Sequence, residues 1–144
     1  MQVMTSEKRP DILVTAREGK PILAVEVKRR EFDRAARQQI TEYSRSAGAD
    51  FVMGIDPHYV IVAPTRNGSP IWEQAITLST VSVLRKYSDL PTLDHIEDFY
   101  LEGLIEAWLQ DFAFAWKSER PPGYDELDRI GLASRLRNSE THAE

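Results

Sequence analysis

Cysteine is absent from this 144-residue chain. That removes disulfides and thiolate metal sites, and it fits a reducing, cytoplasmic setting. Histidine is scarce: His58, His95 and His142 are scattered, with no spacing that would hold zinc. Any metal must then be bound by oxygen, which points to Mg²⁺, Mn²⁺ or Ca²⁺. No apolar run approaches the roughly 20 residues of a membrane span, and the amino end lacks the basic-then-apolar pattern of a secretory signal. No membrane partner is therefore expected. Net positive charge is lacking too. A formal charge of −5 argues against a protein that coats nucleic acid indiscriminately. The distribution matters more than the sum, however. Lys28, Arg29, Arg30, Arg34, Arg37 and Arg45 gather base in one stretch, while much of the acid lies beyond Asp89. One basic face on an acidic protein is compatible with this pattern.

The length suits one ordinary domain with a real core. Residues 11–16 and 22–28 read as strands rich in Ile, Leu and Val, joined by the turn segment Arg17-Glu18-Gly19-Lys20. From residue 31 to 47 the period becomes helical, with Phe32, Ala36, Ile40 and Tyr43 on one stripe and Gly48 as C-cap. Residues 51–55 and 59–63 are two more apolar strands, and Asp56-Pro57-His58 separates them. A turn over residues 65–69 leads to an expected edge strand at 71–74. A short helix is predicted over 80–87 and a long one over 93–116, with Asp94-His95 at its start. In the long helix Ile96, Tyr100, Leu104, Trp108, Phe112 and Trp116 recur every fourth residue, with Leu101, Ile105 and Leu109 widening the stripe. That broad apolar face calls for cover by the sheet or by a second subunit. Residues 1–117 thus form one α/β domain with carboxyl-terminal helices, and 118–144 a short helix with a flexible tail, disordered from Asn138.

The strongest expectation comes from strand register. If the first hairpin turns about Glu18-Gly19, residues whose numbers sum to 37 face each other. Asp11 then lies opposite Glu26, with β-carbons about 4.5–5.5 Å apart, and Lys28 leaves the same face two residues further on. Leu13, Thr15, Ile22 and Ala24 share that acid face, and Ile12, Val14, Leu23, Val25 and Val27 line the other. A strand pair apolar on both sides belongs in the middle of a layered fold. Two carboxylates in such a place cost several kcal/mol unless something compensates, and a divalent cation would. The plainer alternative is a structural Glu26–Lys28 ion pair beside an aspartate that merely opens a strand.

Pro10-Asp11 followed by Glu26-Val27-Lys28 resembles the signature of the PD-(D/E)XK nuclease superfamily, with the acid and the acid-x-lysine triplet on successive strands. In the next helix Gln39-Ile40-Thr41-Glu42-Tyr43 is similar to the QxxxY motif of the RecB-like branch. The stretches 9–14 and 25–29 also resemble the nuclease domain of type I restriction-enzyme motor subunits. The resemblance covers about residues 10–63 and implies a restriction-endonuclease-like three-layer α/β/α fold with a central mixed sheet. It further implies that Asp11, Glu26 and the Val27 carbonyl hold Mg²⁺ or Mn²⁺ and that Lys28 orients water or neutralises charge on phosphorus. Gln39 and Tyr43 would position that lysine or the substrate strand, and Arg29, Arg30, Arg34 and Arg37 would contact flanking phosphates. The implied activity is metal-dependent cleavage of nucleic acid, expected to be DNA, by a homodimer or within a larger restriction or repair assembly. The alternative is a non-catalytic relative serving as a binding or assembly module. One departure stands out. Family members carry a helix and a strand before the aspartate, whereas only nine residues up to Arg9 precede Pro10-Asp11 here, and Glu7 is too close to replace the acid on that helix. The expectation is therefore a fold without the usual N-terminal helix, its open layer covered by carboxyl-terminal helices, by another subunit or by a part of a longer protein.

Overall fold

The structure is a computed structural model and describes residues 9–89, 92–93 and 95–143; Glu7, Pro91 and Asp94 lie outside them. The amino-terminal half runs β1 (Ile12–Thr15), β2 (Pro21–Val27), α1 (Arg34–Ala47), β3 (Phe51–Ile55), β4 (Tyr59–Arg66), β5 (Ser69–Pro70) and β6 (Ile76–Ser79). The carboxyl-terminal half adds α2 (Thr80–Leu84), α3 (Asp98–Phe114), α4 (Tyr124–Arg129), α5 (Leu132–Leu136) and β7 (Glu140–Ala143). Among the described residues the strands form one mixed sheet in the order β5-β4-β3-β2-β1-β7, with β6 also paired to β4. Only β2 and β3 run parallel, joined through α1.

The hairpin register sums to 37 as expected: Ile12 faces Val25, Leu13 faces Ala24 and Val14 faces Leu23. Gly19 takes φ +95°, a conformation that favours glycine. The register then slips by one, so Thr15 pairs with Pro21. Ile22 becomes the extra residue of this bulge and packs in the larger core, not on the acid face. A second hairpin turns at Asn67 (φ 52°) and Gly68 (φ 81°), which pairs Arg66 with Ser69. Two successive positive φ angles are what a tight two-residue connection requires.

Each face of the sheet carries its own apolar cluster. Ala24, Val52 and Ala63 meet Ile40 of α1 on one side. On the other, Ile12, Val25, Met53 and Val62 meet Leu101, Trp108, Leu127 and Leu136 from the carboxyl-terminal helices. Those helices cover this face of the sheet, so the buried face of α3 packs on the sheet of the same chain. The every-fourth-residue stripe drifts about 40° per step on a helix of 3.6 residues per turn and cannot stay on one face. Leu104, Trp108 and Phe112 are buried, Tyr100 is exposed, and Trp116 lies beyond the helix and exposed as well. The buried face is made of Leu104, Trp108 and Phe112 together with Leu101, Ile105 and Leu109, the residues expected to widen the stripe.

Several boundaries differ from the sequence reading. Helix α1 starts at Arg34, because the Asp33 side chain caps it by accepting from the Ala36 N–H. The edge strand expected over 71–74 is a 3₁₀ turn (Trp72–Gln74), and β6 takes the edge of β4 instead. Helix α3 begins after Glu97, not at Asp94-His95. The largest change is at the carboxyl end. Residues 118–144, expected to be one short helix and a flexible tail, hold two helices, α4 and α5, with Leu127, Leu132 and Leu136 fully buried, and the part expected to be disordered from Asn138 contains β7. Strand β7 pairs along the whole of β1, and His142 Nε2 lies 2.9 Å from Thr15 Oγ1. It satisfies backbone groups that would otherwise leave β1 a bare edge. No helix among the described residues is long and apolar enough to cross a membrane.

Candidate functional site

The hairpin and α1 bring five of the predicted residues to one point. Asp11 sits just before β1, and its Oδ2 accepts from the Val27 N–H at 2.8 Å. The carboxylate is thereby tied to β2 between Glu26 and Lys28. Glu26 lies near the end of β2, opposite Gly54 of β3, and is only 3% exposed. Lys28 follows the strand, and its own N–H donates to Ile55 O at 2.8 Å. Its Nζ lies 3.1 Å from Glu26 Oε2 and donates to Gln39 Oε1 at 2.9 Å. Gln39 Nε2 in turn donates to Tyr43 Oη at 2.7 Å. The spacing of four along α1 makes that last contact, because such residues are neighbours on one helical face.

Electrostatics sets this chain of contacts apart from a surface ion pair. Burial, followed by the charge of Asp11, pushes the Glu26 carboxyl up to about 7 despite the opposing pull of Lys28. Burial alone would lower Lys28, but its hydrogen bond and charge attraction to Glu26, with help from Asp11, win and raise it. Burial and the Glu26 charge raise the Tyr43 phenol. Glu26 Oε2 is engaged by Lys28, while Glu26 Oε1 is buried and meets no N–H or hydroxyl donor; the Asp11 carboxyl is close enough for a proton shared between the two acids to bond them. A buried carboxylate oxygen beside a second carboxyl is costly unless a proton or a cation lies between them.

The residues fit a hard divalent cation on these grounds. Asp11 and Val27 line a cleft of about 830 Å³, and Glu26 lies buried beneath it beside Asp11, so both acids offer carboxylate oxygens. No cluster of three or more His, Asp or Glu side chains gathers among the described residues, so the protein would supply two carboxylates and a backbone carbonyl. Mg²⁺ commonly takes one or two protein carboxylates and completes its shell with water and substrate phosphate.

The four arginines do not act as one set. Arg29 and Arg30 border the cleft directly after Lys28, and Arg29 makes a loose, exposed pair with Glu97 at 3.8 Å. Arg37 packs over the Trp72 ring at 5.0 Å and lines a different cleft. Arg34 is exposed on α1 and lines neither. The rim of the first cleft also carries Glu31, Asp33 and Glu42, with Asp98 and Glu102 brought in by α3. Nothing local in the sequence places those last two there.

Sequence reasoning also missed what holds the Lys28–Asp33 segment. Asp56 is buried, and its Oδ2 accepts from Phe32 N–H at 2.9 Å. Its Oδ1 accepts from His58 and Tyr59 N–H at 2.7 and 2.8 Å. One carboxylate thus closes the β3–β4 turn and anchors the connection that follows the lysine. The tip of the Phe32 ring lies against Gly54, where an added β-carbon would sit 2.2 Å from the ring. The Asp-Pro pair was the available signal, since aspartate favours turns that return to its own backbone. No family model, no curated protein and no solved structure matches the chain.

Proposed function

We propose that the chain is a metal-dependent nuclease of the PD-(D/E)XK type, hydrolysing phosphodiester bonds of nucleic acid, with DNA as the expected substrate. One observation carries this reading. Glu26 is buried beside Asp11 with one oxygen that meets no N–H or hydroxyl donor, while its other oxygen is held by Lys28. Two acids packed this closely need either a shared proton or a cation between them, and a divalent ion answers that need while leaving both ionised. Asp11, Glu26 and the Val27 carbonyl would hold Mg²⁺ or Mn²⁺. The bound ion would polarise the scissile phosphate and make water a competent nucleophile at neutral pH.

The chain's own residues divide the remaining work. An ammonium has three donors, and Lys28 spends two on Glu26 and Gln39. The third remains for a phosphate oxygen or the attacking water, where it neutralises developing charge. Gln39 and Tyr43 are positioning residues: they fix the lysine's direction through the relay from Tyr43 Oη to Gln39 to Nζ. Arg29 and Arg30 would hold flanking phosphates without reading bases.

The acidic rim of Glu31, Asp33, Glu42, Asp98 and Glu102 favours a second reading, a non-catalytic binding or assembly module. Incubating the purified protein with linear, circular and single-stranded DNA plus Mg²⁺ or Mn²⁺ separates the two. The nuclease reading expects cleavage that EDTA stops, that Glu26→Ala or Lys28→Ala abolishes, and that Gln39→Ala lowers roughly 10- to 100-fold, as for a lost supporting contact. Metal binding by calorimetry with no cleavage of any substrate would support the module instead.

A further inference from the structure

Residues Arg29 to Glu31 form a ridge between two clefts, because they line both. The second cleft holds about 670 Å³, within the range of roughly 300–1,000 Å³ typical of ligand sites. Its walls differ from those of the first. Arg29, Arg30 and Arg37 contribute three guanidinium groups, while Phe32, Pro57, Tyr59 and Ile61 contribute apolar surface. Two carboxylates are present, Glu31 and Asp56, and Asp56 already accepts three backbone N–H groups. The charge facing this cleft is therefore positive, unlike the acidic rim next door.

Tyr59 supplies an exposed ring to this cleft. It is 61% exposed, and both of its backbone polar groups are hydrogen-bonded to Asp56. The Tyr59 N–H donates to Asp56 Oδ1, and its carbonyl accepts from the Asp56 N–H at 3.0 Å. An exposed ring on a fixed backbone offers a face at small entropic cost. Arg37 is likewise preset by its packing over Trp72. Aromatic faces combined with a track of positive charge are the means by which proteins bind single-stranded nucleic acid. A duplex keeps its base faces stacked inside and has nothing to lay on such a ring.

We propose that the second cleft binds a single-stranded stretch of the substrate, with a base stacked on Tyr59 and the backbone crossing the Arg29–Arg30 ridge into the first cleft. This rests on the nuclease reading and narrows it to substrates with an unpaired end, flap or gap.

The test separates the two claims. Fluorescence anisotropy in EDTA, where no cleavage occurs, compares a short labelled oligothymidylate with a blunt duplex of the same length. The single strand binds more tightly, and Tyr59→Ala weakens it roughly 5- to 100-fold, as for one lost stacked base. Tyr59→Trp restores binding, and the duplex is indifferent to both changes. Arg30→Ala weakens binding and lowers the salt slope by about one. Equal affinity for duplex and single strand, or no effect of Tyr59→Ala, overturns the proposal even if Mg²⁺-dependent cleavage is found. Tyr59-dependent binding of the single strand without cleavage of any substrate supports the cleft and removes the nuclease reading.

Discussion

Replacing Glu26 by glutamine keeps the shape of the side chain and an acceptor for Lys28 but removes the ability to ionise. In the metal-free protein this should stabilise the fold above neutral pH. The Glu26 carboxyl is lifted from its ordinary value of 4.5 to about 7, by burial first and by Asp11 second. Between those two values the folded state keeps a proton that the unfolded chain has released, so stability falls as pH rises through that window. Each pH unit corresponds to about 1.4 kcal/mol, so the window carries on the order of 3 kcal/mol. Glutamine mimics the protonated form and escapes this loss. At about pH 8 in EDTA, Glu26→Gln should therefore be more stable than the parent by up to ~3 kcal/mol, or roughly 10 °C in Tm for a chain of this size. At about pH 5 the difference should nearly vanish. Mg²⁺ should raise the Tm of the parent at pH 8 and leave that of Glu26→Gln unmoved. Urea and thermal melts at the two pH values read the effect. If Glu26→Gln is instead destabilising at pH 8 and neutral at pH 5, then Glu26 is a structural partner of Lys28, and the reasoning that makes it a metal ligand fails.

Three further outcomes follow from the same geometry. Gly54→Ala puts a methyl group 2.2 Å from the Phe32 ring, so the ring must move. Urea unfolding should show a loss of about 1–3 kcal/mol, the usual cost of overpacking. Asp56→Ala leaves three backbone N–H groups without their acceptor. It should cost about 2–5 kcal/mol and speed amide exchange at Phe32, His58 and Tyr59 together. Asp111 is buried in the last turn of α3 and accepts from Tyr87 Oη at 2.6 Å and from the Lys117 and Ser118 N–H groups at 2.9 and 3.0 Å. Burial opposes its ionisation, but these hydrogen bonds hold its carboxyl below the usual value of 3.8. Its contribution is thus present above that value and fades as pH falls through the lower, folded-state one. Asp111→Asn should cost about 1–3 kcal/mol at neutral pH and less in acid melts, the opposite trend to Glu26→Gln.

The candidate site was legible because its parts are close in sequence and fixed by geometry that a sequence displays. Asp11 and Glu26 lie across one hairpin, whose register depends only on a short turn containing Gly19. Gln39 and Tyr43 depend only on helical spacing. Even the slip at Thr15 did not spoil the site, because the bulge lies toward the turn, beyond the pairs that align Asp11 with Glu26. The illegible contacts are of another kind. The pairing of β7 with β1 joins Thr15 to Glu140 and His142. Residues 140–143 show no apolar alternation that would reveal a strand. Asp56 showed only as part of a turn, yet besides its own turn's N–H groups it accepts from Phe32, 24 residues away, a contact that only the tertiary fold delivers.

The long helix shows why the two halves of the chain differ in this respect. A strand alternates with period two, so each side chain's face follows from its neighbours. A helix of 3.6 residues per turn carries a four-residue repeat steadily around its axis. Which aromatics are buried then depends on where along α3 the sheet touches it. Trp108 and Phe112 fall in that zone, while Tyr100 and Trp116 do not. The same placement carries Asp98 and Glu102, near the start of α3, to the rim of the first cleft. The helix that completes the core thus also sets the charge at the site's entrance. Acids outnumber bases among the residues lining the first cleft, and across the Arg29–Arg30 ridge bases outnumber acids. A strand of nucleic acid would be drawn first to the arginine side, and the carboxylates around Asp11 and Glu26 would accept its phosphate only with a cation between them.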